Sequence, residues 1–339
     1  MNLFGGKSVL ITGGTGSLGK TLLRRLLVGD HGSPDRVIIL SRDEAKQNDM
    51  RVANRDARVH FRIGDVRDLR SVVSALRKGV DIVVNAAALK QVPTCEYAPF
   101  EAVQTNIGGA ENIVRAIEEH DLPIETVVGV STDKACKPVN TMGMTKAIQE
   151  RIFIQGNLRH PKTRFVCVRY GNVLASRGSV VPLFHDQIRR GGPVTVTTVG
   201  MTRFLLRLDF AVDTIFAAIQ HARSGETYVP RAPSATVVNI ARALIGDRTV
   251  EIKVTGIRPG EKTHETMVSE EEALRVDQRD TWMAIGPMLP ELTSGRAPPE
   301  GISEEYSSSQ NVLSFEATRD LLFAAGLMVD TVPESELLR

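Results

Sequence analysis

Short apolar runs alternate with amphipathic stretches along the first half of the chain. Ser8-Val9-Leu10-Ile11-Thr12 predicts a buried strand, and leucines 22, 23, 26 and 27 give Lys20 to Val28 an apolar helical face. Further strands are predicted at Arg36 to Leu40, Val59 to Ile63, Asp81 to Val84, Val127 to Val130 and Phe165 to Val168. A long helix is predicted over 98–119, with Ala102, Val103, Ile107, Ala110, Val114 and Ile117 on one face, and another over 143–156. Strand and helix alternating in this way predicts an α/β fold built on a doubly wound parallel sheet.

From Arg169 the periodicity loosens. Residues 169–182 read as a long functional loop entering a helix at Pro182. Helices over 209–223 and 235–245 and strands at Thr227 to Val229 and Ile252 to Val254 follow. Residues 292–310, rich in Ser, Pro, Glu and Gly, read as an exposed loop. Ser314 to Gly326 reads as a helix with Ser314 as N-cap and Gly326 as stop. Trp282 is expected to serve packing. The expected division is a Rossmann-like dinucleotide-binding domain over 1–170 and a smaller α/β substrate-binding region over 171–339.

The link between strand one and helix one is Gly13-Gly14-Thr15-Gly16-Ser17-Leu18-Gly19. Glycines 13, 16 and 19 have the spacing that lets backbone turn tightly against a pyrophosphate at a helix N-terminus. Ser41-Arg42-Asp43 closes strand two. A serine and a cation there suit a 2′-phosphate and predict NADP, while Asp43 leaves NAD open. Asp65 and Val66 are placed to meet an adenine. Ala86, Ala87 and Ala88 are small enough for a dinucleotide to cross the strand ends, and Lys90 follows towards the reaction centre. Asn106 is expected to be either a structural hydrogen-bonder or a prop for a catalytic lysine.

Residues 131–146 concentrate the chemistry. Thr132, Asp133 and Lys134 set a hydroxyl, a carboxylate and an amine side by side at the end of a buried strand, and Lys146 follows on a helix starting near Thr141. That grouping predicts proton transfer beside a bound ligand. In the second half, Arg177, Arg203, Arg258 and Lys262 lie in loops with glycine, proline and asparagine, and suit a diphosphate-bearing substrate.

The totals add little beyond exclusions. The 339 residues are 42% hydrophobic and 24% charged, with net charge +2, which gives no reason to expect a nucleic-acid partner. No apolar run reaches membrane-span length, and the N-terminus lacks a signal-peptide pattern. Cys95, Cys136 and Cys167 have no metal-type spacing, so reduced thiols, a cytoplasmic location and no metal are expected.

Together these motifs resemble the extended short-chain dehydrogenase/reductases. The resemblance rests on Thr12 to Gly19, Ser41 to Glu44, Ala86 to Pro93, Ser131 to Lys134, Arg169 to Val173, Met201 to Phe204 and Arg258 to Lys262. Within that group the chain is most similar to inverting UDP-N-acetylglucosamine 4,6-dehydratases of bacterial surface-glycan synthesis, from about residue 5 to 325. The resemblance implies C4 oxidation by bound NADP, loss of water across C5 and C6, and hydride return to C6. It makes Lys134 the C5 base, Asp133 the acid for the C6 hydroxyl, and Thr132 the partner of the C4 oxygen. Lys146 would hold the nicotinamide ribose. Asn172, Arg177, Arg203 and Arg258, with Glu261 beside them, would serve the UDP portion.

Met142 departs from the pattern, because soluble members usually carry a tyrosine there as C4 proton acceptor. Longer membrane-anchored and capsule-type relatives share the methionine and are regarded as dehydratases. The C4 base is left to Asp133, Lys134 or a water held by Thr132. Rival readings are a dehydratase that stops at the 5,6-alkene, an epimerase of the same fold, and a binding protein without catalysis. The resemblance and the long helices also imply a homo-oligomer.

Overall fold

The computed structural model describes residues 2–174, 179–295 and 297–331. In the first half, β1 (Ser8–Thr12), α1 (Ser17–Val28), β2 (Arg36–Ser41), α2 (Glu44–Ala53), β3 (Val59–Ile63), α3 (Leu69–Leu76) and β4 (Ile82–Asn85) alternate. Then come α4 (Val92–Tyr97), α5 (Pro99–Ala102), a π-helical turn (Val103–Gly108), α6 (Gly109–Glu119), β5 (Thr126–Thr132), α7 (Thr141–Arg159) and β6 (Arg164–Tyr170). The second half supplies α8 (Val180–Arg189), β7 (Val194–Val196), β8 (Thr202–Phe204), α9 (Leu208–His221), β9 (Thr227–Pro230), β10 (Ser234–Thr236) and α10 (Val237–Ile245). It closes with β11 (Ile252–Val254), β12 (Thr266–Val268), α11 (Glu270–Ala273), β13 (Val276–Arg279), β14 (Trp282–Ile285), β15 (Tyr306–Ser307) and α12 (Phe315–Ala324).

The main sheet runs β13-β14-β9-β6-β5-β4-β1-β2-β3. Strands β1 to β6 and β9 are parallel to their neighbours, and β14 and β13 extend the edge antiparallel. The chain winds outward in opposite directions from β1 and β4, so the crevice beyond their carboxyl ends is where such sheets bind ligands. Alternate residues along each strand explain the two cores. Val9, Ile11, Val37 and Ile39 pack with Leu22, Leu23 and Leu26 of α1 and Ile215 of α9. Leu10, Ile38, Val83 and Val127 point the other way, onto Ile113, Val114 and Ile117 of α6.

Two expectations change. The long helix predicted over 98–119 runs unbroken from Pro99 to Glu119, but its middle is a π-helical turn carrying Thr105 and Asn106, and α4 precedes it. Apolar spacing fits α and π turns nearly alike over so few residues. Residues 292–310 are not simply exposed, since Tyr306–Ser307 pairs with Thr266–Val268 and Ser308 is buried. Ser308 Oγ accepts from Glu265 N at 2.9 Å, so its polar side chain serves buried backbone rather than solvent. The predicted helix over 235–245 begins at Val237, after β10, with Thr236 as N-cap. Trp282 lies on β14, packs against the main core and bonds to Thr214.

Candidate active site

One cleft of about 1370 Å³ runs along the carboxyl ends of the sheet from the glycine loop to the second half of the chain. Gly13 takes φ +64, and a Cβ there would lie 2.7 Å from Ala87 Cα, so this turn is flush against the end of β4. A Cβ on Gly19 would lie 2.3 Å from Gly14 O, which packs α1 onto the loop. Gly16, the N-cap of α1, has only ordinary contact at 3.4 Å and no side-chain cap. The first-turn N–H groups of a full-length helix therefore face the cleft without a capping side chain, as a pyrophosphate seat requires. Thr15, Ser17 and Leu18 line the same end.

At the end of β2, Ser41 Oγ bonds Thr15 Oγ1 at 2.9 Å. Arg42 is exposed and lies 3.5 Å from Asp65, whose carboxylate also pairs with Arg67. Asp43 caps α2, accepting from Lys46 N at 3.0 Å, and pairs with the Lys46 ammonium. Val66, Ala86, Ala87, Ala88 and the exposed Lys90 complete this wall. Asn106 grips Leu89 from both sides, accepting from its N–H at 2.8 Å and donating to its C=O at 3.0 Å, and bonds Thr145 Oγ1 at 2.9 Å. It is thus a structural hydrogen-bonder for the 86–91 segment.

A candidate acid–base group forms where β5 ends. Thr132 Oγ1 donates to Asp133 Oδ1 at 2.9 Å, and Lys134 Nζ lies 3.0 Å from the same oxygen. Lys134 Nζ is also 3.2 Å from Glu265 Oε1. One ammonium therefore sits between two buried carboxylates. Burial raises Asp133 towards its protonated form, and Glu265 adds to this against the pull of Lys134. Burial acts to lower Lys134, yet Asp133 and Glu265 together hold it above its ordinary value. Burial acts to raise Glu265, but Lys134 and Arg203 outweigh it and keep it ionised. The resemblance names Lys134 as a base and Asp133 beside it, but sequence reasoning missed Glu265 as a second carboxylate on the same amine. The one available signal was the proximity of Glu265 to the Arg258 to Lys262 motif, directly before β12.

Lys146 is buried on α7 and donates to Val130 O and, at 2.6 Å, to Gln149 Oε1. Burial lowers its pKa to about 8. Met142, one turn earlier, lines the cleft and packs with Cys95 and Ala102. Behind the centre, Arg169 is buried between Glu150 at 2.6 Å and Glu272 at 2.7 Å, and Ser131 Oγ bonds Glu150. This cluster ties β5, β6 and α7 to α11.

The second half closes the cleft. Arg203 lies along its wall with its guanidinium on Thr202 O, Thr263 O and Lys262 O, and 3.8 Å from Glu265. Arg258 is exposed and 3.8 Å from Glu261, which accepts from Thr197 at 3.3 Å. Asn172 lines the cleft with a buried Oδ1 that no donor among the described residues reaches. Lys262 donates to Cys136 O at 2.6 Å. Arg177 lies outside the described residues. Among the described residues no helix is long and apolar enough to cross a membrane.

A family model described as polysaccharide biosynthesis protein matches residues 9–287. A UDP-glucose 4-epimerase of Rickettsia conorii is 41% identical over 343 residues, covering 98% of each chain. That of Rickettsia prowazekii is 44% identical over 281 residues, covering 81% of each. The crystal structure of Pen from Bacillus thuringiensis superposes with a TM-score of 0.87 at 33% identity, covering 96% of this chain and 99% of that one. DesIV of Streptomyces venezuelae, a dTDP-glucose 4,6-dehydratase with NAD and TYD bound, shares the fold at TM-score 0.67 and 22% identity, covering 76% of this chain and 86% of that one.

Proposed function

The chain belongs to the polysaccharide biosynthesis protein family of extended short-chain dehydrogenase/reductases, the nucleotide-sugar dehydratases and epimerases, and on that premise we propose that it is a UDP-N-acetylglucosamine 4,6-dehydratase inverting C5. The observation that carries this reading is the buried Asp133–Lys134–Glu265 group at the end of β5. Epimerisation at C4 needs one proton acceptor for the C4 hydroxyl. Elimination across C5 and C6 needs a second base and an acid, and this centre supplies both.

The glycine loop and the uncapped start of α1 fit a dinucleotide pyrophosphate, with Asp65 and Val66 at the adenine and Lys146 at the nicotinamide ribose. Ser41 and Arg42 favour NADP, because Asp43, the carboxylate that would serve NAD, is engaged as the cap of α2. When bound, the dinucleotide accepts a hydride and later returns it. The protons belong to the chain.

Thr132 accepts the C4 hydroxyl proton and passes its own to Asp133 Oδ1, a route that a thioether at Met142 does not need to serve. Protonated Asp133 is then the acid for the departing C6 hydroxyl. Its neutralisation also removes one of the two charges that hold the Lys134 proton, so Lys134 releases that proton to water in the cleft, takes the C5 proton as the free amine, and C5 regains a proton from water on the opposite face. Asn172, Arg203, Arg258 and Glu261 line the end of the cleft proposed for the UDP group; Arg177 is proposed to join them. Met144 and Ile148, one turn apart and exposed on α7, with exposed Tyr97 and Phe100 on α4 and α5, which pack against α7, support a homo-oligomer.

The names of the Rickettsia relatives favour a second reading, a UDP-sugar 4-epimerase. Purified protein with UDP-N-acetylglucosamine separates the two. A product lighter by one water with a C6 methyl is expected. A C4 epimer of unchanged mass establishes the epimerase, and a vinyl signal establishes arrest at the alkene.

A further inference from the structure

Three buried carboxylates besides Asp133 stand close to the reaction centre, and they differ in how they are bonded. Both oxygens of Glu150 and both of Glu272 receive donors from Arg169. These two are structural partners of a buried guanidinium. Glu265 is different. Its Oε1 lies 3.2 Å from Lys134 Nζ, while its Oε2 is buried without a donor. Asp133 shares this arrangement, with Oδ1 on Lys134 and Oδ2 unpartnered. A carboxylate serving only as a crosslink is expected to have both oxygens bonded, since a buried acceptor left unmet keeps its desolvation cost.

We infer that Glu265 is a positioning carboxylate of the acid–base centre, which holds Lys134 Nζ beside Asp133 and governs how readily that amine gives up its proton. The inference deepens the dehydratase reading and rests on it for the role of Lys134 in turnover. The side chain of Glu265 is 3% exposed and lines the cleft, so solvent screens its charge little. Its backbone is fixed from the far side, where its N–H donates to Ser308 Oγ at 2.9 Å. The charged groups around Lys134 are Asp133 on its own segment, Glu265 before β12, Arg203 on β8 and Lys262 in the preceding loop. Asp133 and Glu265 favour the ammonium, and Arg203 opposes it. Once Asp133 is protonated, Glu265 is the one of these carboxylates that still holds Lys134.

The test reads Lys134 directly. In NADP-bound protein labelled with ε-13C-lysine, the Lys134 resonance is assigned by its loss in Lys134→Arg and followed with pH. In Glu265→Gln its titration is expected to fall by about one pH unit or more, the usual effect of removing a close opposite charge. In Glu265→Asp, which keeps the charge, it should stay within a few tenths of a unit of wild type. The pH limb for C5-proton exchange with solvent should move in parallel. An unmoved Lys134 titration in folded, NADP-binding Glu265→Gln overturns the inference. If Glu265→Gln does not fold, the same titration is read in Glu265→Ala, where an unmoved Lys134 overturns the inference instead. A shifted titration without C5 exchange in wild type leaves Glu265 as the positioning group and rejects the dehydratase reading alone.

Discussion

Lys134 is half-buried and Lys146 is buried, and their surroundings drive them in opposite directions. Lys134 faces two carboxylates and stays above its ordinary value, whereas Lys146 faces a carbonyl and an amide and falls to about 8. Lys134→Ala is expected to keep NADP affinity within a few-fold while losing C5-proton exchange; normal exchange, followed by proton NMR in deuterated buffer, rejects Lys134 as the base. For Lys146 the folded-state pKa lies below the unfolded one. The unfolded chain therefore binds more protons between about 8 and 10.5, and stability contributed by this group rises with pH across that window. Relative to Lys146→Met, wild type should gain roughly 2 kcal/mol of unfolding free energy from pH 7 to pH 10, measured by urea denaturation without cofactor. A flat difference contradicts the assigned burial. These two lysines, with Thr132 and Asp133, were legible in the sequence because they fall within one short motif. Glu265 was not, because its partner is reached only when β12 is laid beside the end of β5.

At the scale of elements, the Glu150–Arg169–Glu272 cluster joins α7, β6 and α11 directly behind the end of β5. Arg169→Met leaves two buried carboxylates without their cation. It should cost about 3–5 kcal/mol in urea unfolding, the loss expected when one partner of a buried pair is removed. A cost under about 1 kcal/mol shows that the cluster is not what ties these elements together. The strands of the first half were readable from apolar runs, and α1 from its leucine face. The π-helical turn at Val103–Gly108 was not, and the bonds its Asn106 makes to Leu89 lie outside any local pattern. Residues 292–310 misled for a related reason. Serines that look like loop residues can be buried when their hydroxyls meet backbone groups, as Ser308 does with Glu265.

Over the whole molecule, the sheet order and the single long cleft follow from strand and helix alternation, but the closure of that cleft does not. β9, β14 and β13 come from the second half and extend the same sheet, while Arg203 on β8, Arg258 after β11 and Glu265 before β12 reach the cleft from the three small two-stranded sheets and their loops. The exposed pair Met144 and Ile148 on α7 is the surface on which self-association is expected. Light scattering should report an oligomer for wild type and a monomer for Met144→Glu with Ile148→Glu; an unchanged mass in that double variant moves the interface elsewhere.

The central claim is that protons and hydride circulate within one site so that C4 is oxidised and C6 reduced. It is tested most directly by supplying UDP-N-acetylglucosamine deuterated at C4, with NADP, in ordinary water. The account predicts that the label appears in the C6 methyl of a 4-keto product. Label retained at C4 of a sugar that has kept all its oxygens contradicts it.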